Sequence, residues 1–115
     1  MIKCNWGDVV LVRFPFTNMG GEKKRPGIVV SADTFHSKRS DYLVLALSES
    51  RGQQMYPGDF ELVKWKEAGL VGPSIAKGRI ATIDKTMLYK KLGELHSDDI
   101  VTLTDSLNKW IFEKA

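Results

Sequence analysis

A chain of 115 residues has room for one hydrophobic core and reads as a single domain over 1–115. Hydrophobic residues at 43% and charged residues at 27% are ordinary for a globular protein in water, and 17 Lys and Arg against 14 Asp and Glu leave a formal net charge of +3, which permits a polyanionic partner without demanding one. The single cysteine, Cys4, excludes an internal disulfide framework and a Cys-rich zinc site, and no apolar run approaches the roughly 20 residues of a membrane-spanning helix.

Met1 to Gly7 lacks a basic stretch followed by an apolar one, so the expected location is the cytoplasm, with Cys4 a reduced thiol. Val9 to Phe14 is β-branched and apolar and reads as a buried strand ended by Pro15. Thr17 to Lys24 is a polar loop with a glycine pair, and Gly27 to Val30 is a second strand. Pro26 disfavours helical angles in its predecessor, so Arg25 should be extended at that strand's entrance. Ser31 to Asp41 is a polar connection, and Tyr42 to Leu47 a third strand running into Ser48. After the loop Arg51 to Gly58, Asp59 to Lys64 reads as a fourth strand and Trp65 to Leu70 as a short helical turn.

Ser74 to Ala76 and Arg79 to Ile83 read as two strand pieces, or as one strand bulged at Gly78. Thr86 to Leu95 fits a short turn followed by an edge strand. Ser97 is placed to cap a final helix, with Asp98 and Asp99 in the first turn, where the helix dipole favours carboxylates. Ile100, Leu103, Leu107, Trp110 and Ile111 then recur at helical spacing as a core-facing stripe. Short strands closed by one amphipathic helix point to a mainly β fold, a small barrel with a packed C-terminal helix.

No phosphate-cradling glycine loop, zincin helix or nucleophile elbow is present. His36 and His96 lie far apart, each without a second ligand at metal spacing, so neither a metal site nor a cofactor is expected. What remains is a series of pieces: GDVVLVRFPF from Gly7, KRPGIVVS from Lys24, LALS ending at Ser48, YPGDFEL from Tyr56, and ATIDKTML from Ala81. In this order and spacing the chain resembles the MazF/PemK family of toxin ribonucleases, from Gly7 through the terminal helix.

The resemblance implies an SH3-like barrel, usually a homodimer, that cuts single-stranded RNA without a metal and is silenced by a cognate antitoxin. The implied chemistry is attack of a ribose 2′-hydroxyl on the adjacent phosphate, leaving a 2′,3′-cyclic phosphate and a 5′-hydroxyl. It requires a cation for the charge building on phosphate oxygens, hydrogen-bonding groups, and a proton acceptor and donor.

Arg25 matches the family's Arg-Pro motif, to which transition-state stabilisation is assigned; by residue type alone it is the end of the solvated Lys23-Lys24-Arg25 run. A guanidinium grips two phosphate oxygens at once, which a lysine does less well. Ser48 falls where the family carries Thr or Ser near the scissile phosphate, and by type alone it is a strand-end turn residue. Ser lacks the methyl group that stiffens the Thr rotamer. Glu22 lies in the loop where many relatives hold an acid assigned to proton transfer, although it sits closer to Arg25 than the family pattern has it.

Lys77 takes a position where relatives often hold a basic residue if one counts from Pro73-Ser74; counting back from Thr82-Ile83-Asp84 puts Ala76 there. Gly78 and Arg79 stand where some relatives hold an acid. Lys24, Lys77, Arg79 and Glu22 are thus candidate catalytic or RNA-binding residues, with Tyr56 as a candidate base-stacking side chain. Trp6, Phe14, Phe16, Phe60, Trp65 and Trp110 read as packing, and Asp84 as a turn cap. A competing reading is a non-catalytic barrel of the same superfamily that binds nucleic acid, gyrase or an antitoxin; the pairing of Arg25 with Ser48 speaks against it.

Overall fold

The computed structural model describes residues 2–13 and 24–114. Among these residues, six antiparallel strands form one sheet: β1 (Asp8–Arg13), β2 (Lys24–Val29), β3 (Asp41–Glu49), β4 (Phe60–Glu61), β5 (Ser74–Asp84) and β6 (Leu88–Glu94), in the spatial order β4-β5-β3-β2-β1-β6. A single helical turn, α1 (Asp33–His36), links β2 to β3, and the helix α2 (Ser97–Leu107) follows β6. The mainly β architecture with a C-terminal helix is therefore the one expected.

The central strands are apolar because both faces of the sheet are covered. Successive residues point to opposite sides. Val10, Val12, Val29, Tyr42 and Val44 enter one core with Cys4, Ile83 and Leu88. Val9, Ile28, Leu45 and Leu47 enter a second core with Leu62, Ala68, Leu95 and Leu103, the last from α2. The apolar run Val9–Val12 is thus a strand buried on both sides.

The sheet curls into a barrel-like shape, although among the described residues no ladder joins its outer strands β4 and β6. Their flanks meet instead at two glycines. A Cβ on Gly69 would collide with the backbone carbonyl of Leu92, and one on Gly93 with that of Ala68. Gly69 also has φ +85°, a backbone state that L side chains rarely adopt.

Several boundaries differ from expectation for physical reasons. The strand expected over Asp59 to Lys64 pairs only at Phe60 and Glu61. Beyond it, the backbone N–H groups of Val63 and Lys64 donate to the buried Asp99 carboxylate at 2.9 and 2.8 Å, which pulls the chain off the sheet and onto α2. Ser74–Asp84 is one strand, and its register against β3 jumps from Leu47↔Ala76 to Leu45↔Ile80, so Lys77-Gly78-Arg79 form the bulge placed at Gly78. Thr86–Leu95 resolves into a tight turn at Lys85–Met87, capped by Asp84, and the edge strand β6.

The helix cap is His96, not Ser97: the His96 ring nitrogen Nδ1 accepts from Asp98 N–H at 3.1 Å. The apolar stripe of α2 also ends earlier than its periodicity implies. Leu103 is buried, and Ile100 and Leu107 pack against the core. Trp110, Ile111 and Phe112 are exposed. The helix widens there into one five-residue turn, Asn108–Phe112, closed by Glu113 N–H to Asn108 O, which rotates these side chains away from the sheet.

Candidate RNA-binding groove

Pro26 has no N–H to donate, and the β2–β3 ladder stops one residue later in the chain, at the pair Gly27↔Ala46. Carried on in register past that end, Arg25 would stand opposite Ser48. The strands part there around an open groove of about 830 Å³. Lys24, Arg25 and Pro26 form one wall, Leu47 to Arg51 with Gln53 a second, and Leu70 to Ser74 a third.

Among the described residues, three cations, Lys24, Arg25 and Arg51, line this groove with one carboxylate, Glu49, and that lining favours an anion. Arg25 is exposed on β2, paired with Val12 of β1. Lys24 lies with its ammonium 3.5 Å from the centroid of the Tyr89 ring. Ser48 is part-buried on β3, paired with Ile75 of β5. Its hydroxyl donates to Gln53 Oε1 at 3.3 Å, and Gln53 Nε2 donates to Glu49 O at 2.7 Å. The third wall is tied in by Ser50 N–H to Pro73 O and by Ser74 Oγ to Gly72 O.

The structure therefore brings Arg25, Ser48 and Lys24 together on one surface. It gathers Lys77 and Tyr56 elsewhere, around Asp59. That carboxylate accepts from Lys77 Nζ at 2.9 Å, Gly78 N–H at 2.7 Å and Tyr56 N–H at 3.0 Å. Burial alone would raise Asp59, but the Gly78, Lys77 and Tyr56 donors outweigh it and hold its carboxyl below the ordinary 3.8. The Lys77 ammonium also sits 5.8 Å from the centroid of the exposed Tyr56 ring. Arg79 is exposed on the same bulge, and none of these three residues lines the groove. Glu22 lies outside the described residues.

Sequence reasoning passed over Glu49, Arg51 and Gln53. The signal for Arg51 and Gln53 was their place in the polar loop directly after Ser48. The Gly7-Asp8 motif proves architectural: Asp8 is buried, accepts from Asn5 N–H at 2.8 Å and faces Lys91 Nζ at 3.4 Å. No cluster of His, Cys, Asp and Glu capable of holding a metal ion occurs among the described residues.

A profile of the family described as PemK-like, MazF-like toxin of type II toxin-antitoxin system matches residues 5–111. The chain belongs to this family. It is accordingly a type II toxin of the PemK/MazF kind, the family that the ordered pieces of its sequence resemble. Solved structures agree in fold. An endoribonuclease in complex with its cognate antitoxin from a Mycobacterial species superposes with a TM-score of 0.75 at 15% identity, covering 98% of this chain and 99% of that one. MazF from Deinococcus radiodurans gives 0.72 at 14% identity over 96% and 97%. The Mycobacterium tuberculosis toxin MazF-mt6 gives 0.70 at 14% identity over 89% and 93%. No curated protein sequence matches the chain. No helix among the described residues of this PemK/MazF-like toxin is long and apolar enough to cross a membrane.

Proposed function

We propose that this toxin is a metal-independent endoribonuclease that cuts single-stranded RNA by attack of the 2′-hydroxyl on the neighbouring phosphate. The observation that carries the reading is the placement of Arg25 and Ser48 on facing walls of one cationic groove. In the reaction the 2′-oxygen bonds to phosphorus and the bond to the 5′-oxygen breaks. The 2′-hydroxyl gives up its proton and the departing 5′-oxygen takes one. Negative charge builds on the non-bridging oxygens between those events, and the two-pronged Arg25 guanidinium is suited to hold it. Ser48 provides a hydroxyl beside the same phosphate, and Lys24 and Arg51 supply charge along the strand.

Lys77, Arg79 and Tyr56 lie outside the groove, so their contacts with RNA would fall on flanking nucleotides. The same excess of positive charge suits an acidic, extended segment of an antitoxin, which would silence the enzyme by filling the groove. A homodimer fits the aromatic surface left at the end of α2, where Phe112 is 74% exposed beside Trp110 and Ile111. The cytoplasm, where single-stranded RNA is made, is the matching compartment.

An unstructured RNA and the same sequence with 2′-deoxy sugars, each incubated in excess EDTA, test the chemistry. Cleavage of the first alone supports it, since the deoxy strand has no internal nucleophile. Cleavage of both, or of neither, overturns it.

A further inference from the structure

Ser48 and Gln53 are joined in a way that fixes the direction of a proton. Gln53 Nε2 donates to the backbone carbonyl of Glu49 at 2.7 Å. A carbonyl can only accept, so the amide nitrogen is committed there and the amide oxygen is the end facing Ser48. An amide oxygen can only accept in its turn, so the Ser48 hydroxyl, 3.3 Å away, must be the donor. With its proton turned to Gln53, Ser48 Oγ presents lone pairs to the groove. A phosphate oxygen, itself an acceptor, has nothing to bond with there, whereas a ribose 2′-hydroxyl does.

We infer that Gln53 is a positioning residue that locks the rotamer and proton of Ser48, so that the serine oxygen accepts a hydrogen bond from the attacking 2′-hydroxyl. The inference rests on the ribonuclease reading and adds to it the partner of Ser48. A serine at this place needs such a lock, because it lacks the second heavy atom on Cβ that restricts χ1 in threonine. Gln53 is well placed to provide it: its own N–H closes the turn to Ser50 O, and its side chain returns to the strand end. The lock orders the nucleophile and leaves phosphate binding to Arg25.

The test is a set of variants assayed on one RNA. Gln53→Ala should lower kcat about tenfold with KM within about twofold, the signature of an interaction used in the reaction and not in binding. In the Ser48→Thr background, whose methyl supplies the missing restraint, the same change should cost less than about threefold. In the Ser48→Ala background it should cost nothing further, because the hydroxyl to be positioned is gone. Equal losses in all three backgrounds would mean that Gln53 only braces the turn, and would overturn the assignment. A Gln53→Ala variant matching wild type would also overturn it while leaving the ribonuclease reading intact. Wild-type protein that leaves RNA uncut would overturn both.

Discussion

Asp59 holds Lys77: the ammonium lies 2.9 Å from Oδ2 of a carboxylate only 4% exposed, whose other oxygen takes the Gly78 N–H. The pair anchors the β5 bulge to the loop before β4. Lys77, which counting from Pro73-Ser74 sets where relatives often hold a basic residue, thus has a structural partner.

Replacing Asp59 with Ala should therefore destabilise the protein by about 1–2 kcal/mol, since it leaves a part-buried ammonium without its partner and returns two exposed backbone N–H groups to water. Urea unfolding measures this. Lys77→Ala should cost less and leave RNA cleavage within about twofold of wild type. The pH dependence follows from the depressed carboxyl. Its unfolded value is near 3.8 and its folded value lies lower, so its contribution is complete above that value and is lost as pH falls through the folded one. Wild type should lose stability more steeply below pH 3.8 than Asp59→Asn, which carries no such proton uptake.

Asp99 makes a second prediction. It is 1% exposed, and its two oxygens accept the N–H groups of Val63 and Lys64. Asp99→Ala leaves both donors without a partner at the junction between α2 and the 62–70 segment. A loss of about 2–4 kcal/mol is expected in urea unfolding, against about 0.5 kcal/mol for the exposed neighbour Asp98. Equal effects at the two positions would contradict the assignment.

Cys4 gives a third. Burial, reinforced by the Asp8 charge and only partly offset by Lys91, pushes its thiol up to about 11. At pH 8 the native thiolate should be scarcer than in the unfolded chain by about a hundredfold, and reaction with a thiol reagent should be slower by at least that factor. The unfolded thiol loses its proton first, near 9.0, so stability should fall as pH rises past that point, and Cys4→Ala should remove this part of the alkaline decline.

Those groups also show what the amino-acid sequence made legible. The apolar runs of β1, β2 and β3 are read from composition alone because each is buried on both faces, and the bulge at Gly78 is marked by a glycine between two basic residues inside an otherwise apolar strand. The extended backbone of Arg25 is legible because Pro26 disfavours helical angles there, whereas its place in a site was legible only through the family resemblance. Asp99 is not: beside Asp98 it reads as one of two carboxylates favoured by the helix dipole, and only the distant segment at Val63 and Lys64 makes it a buried anchor. His96 displaces Ser97 as cap because a ring nitrogen one residue earlier reaches Asp98 N–H. Trp110 continues a helical period that the backbone itself abandons at Asn108. Gln53 is invisible for the same reason as Asp99: its significance lies in one hydrogen bond closed by the turn after β3.

The central claim is that Arg25 stabilises the transition state of a metal-free RNA cleavage. Purified wild type and Arg25→Ala, incubated with a long unstructured RNA in excess EDTA and followed by mapping of the new ends, test it most directly. Wild type should give discrete fragments with 2′,3′-cyclic phosphate ends, and Arg25→Ala should be at least about a hundredfold slower, corresponding to about 2.7 kcal/mol of lost stabilisation. RNA left intact by wild type, or cut equally well without Arg25, would contradict the account.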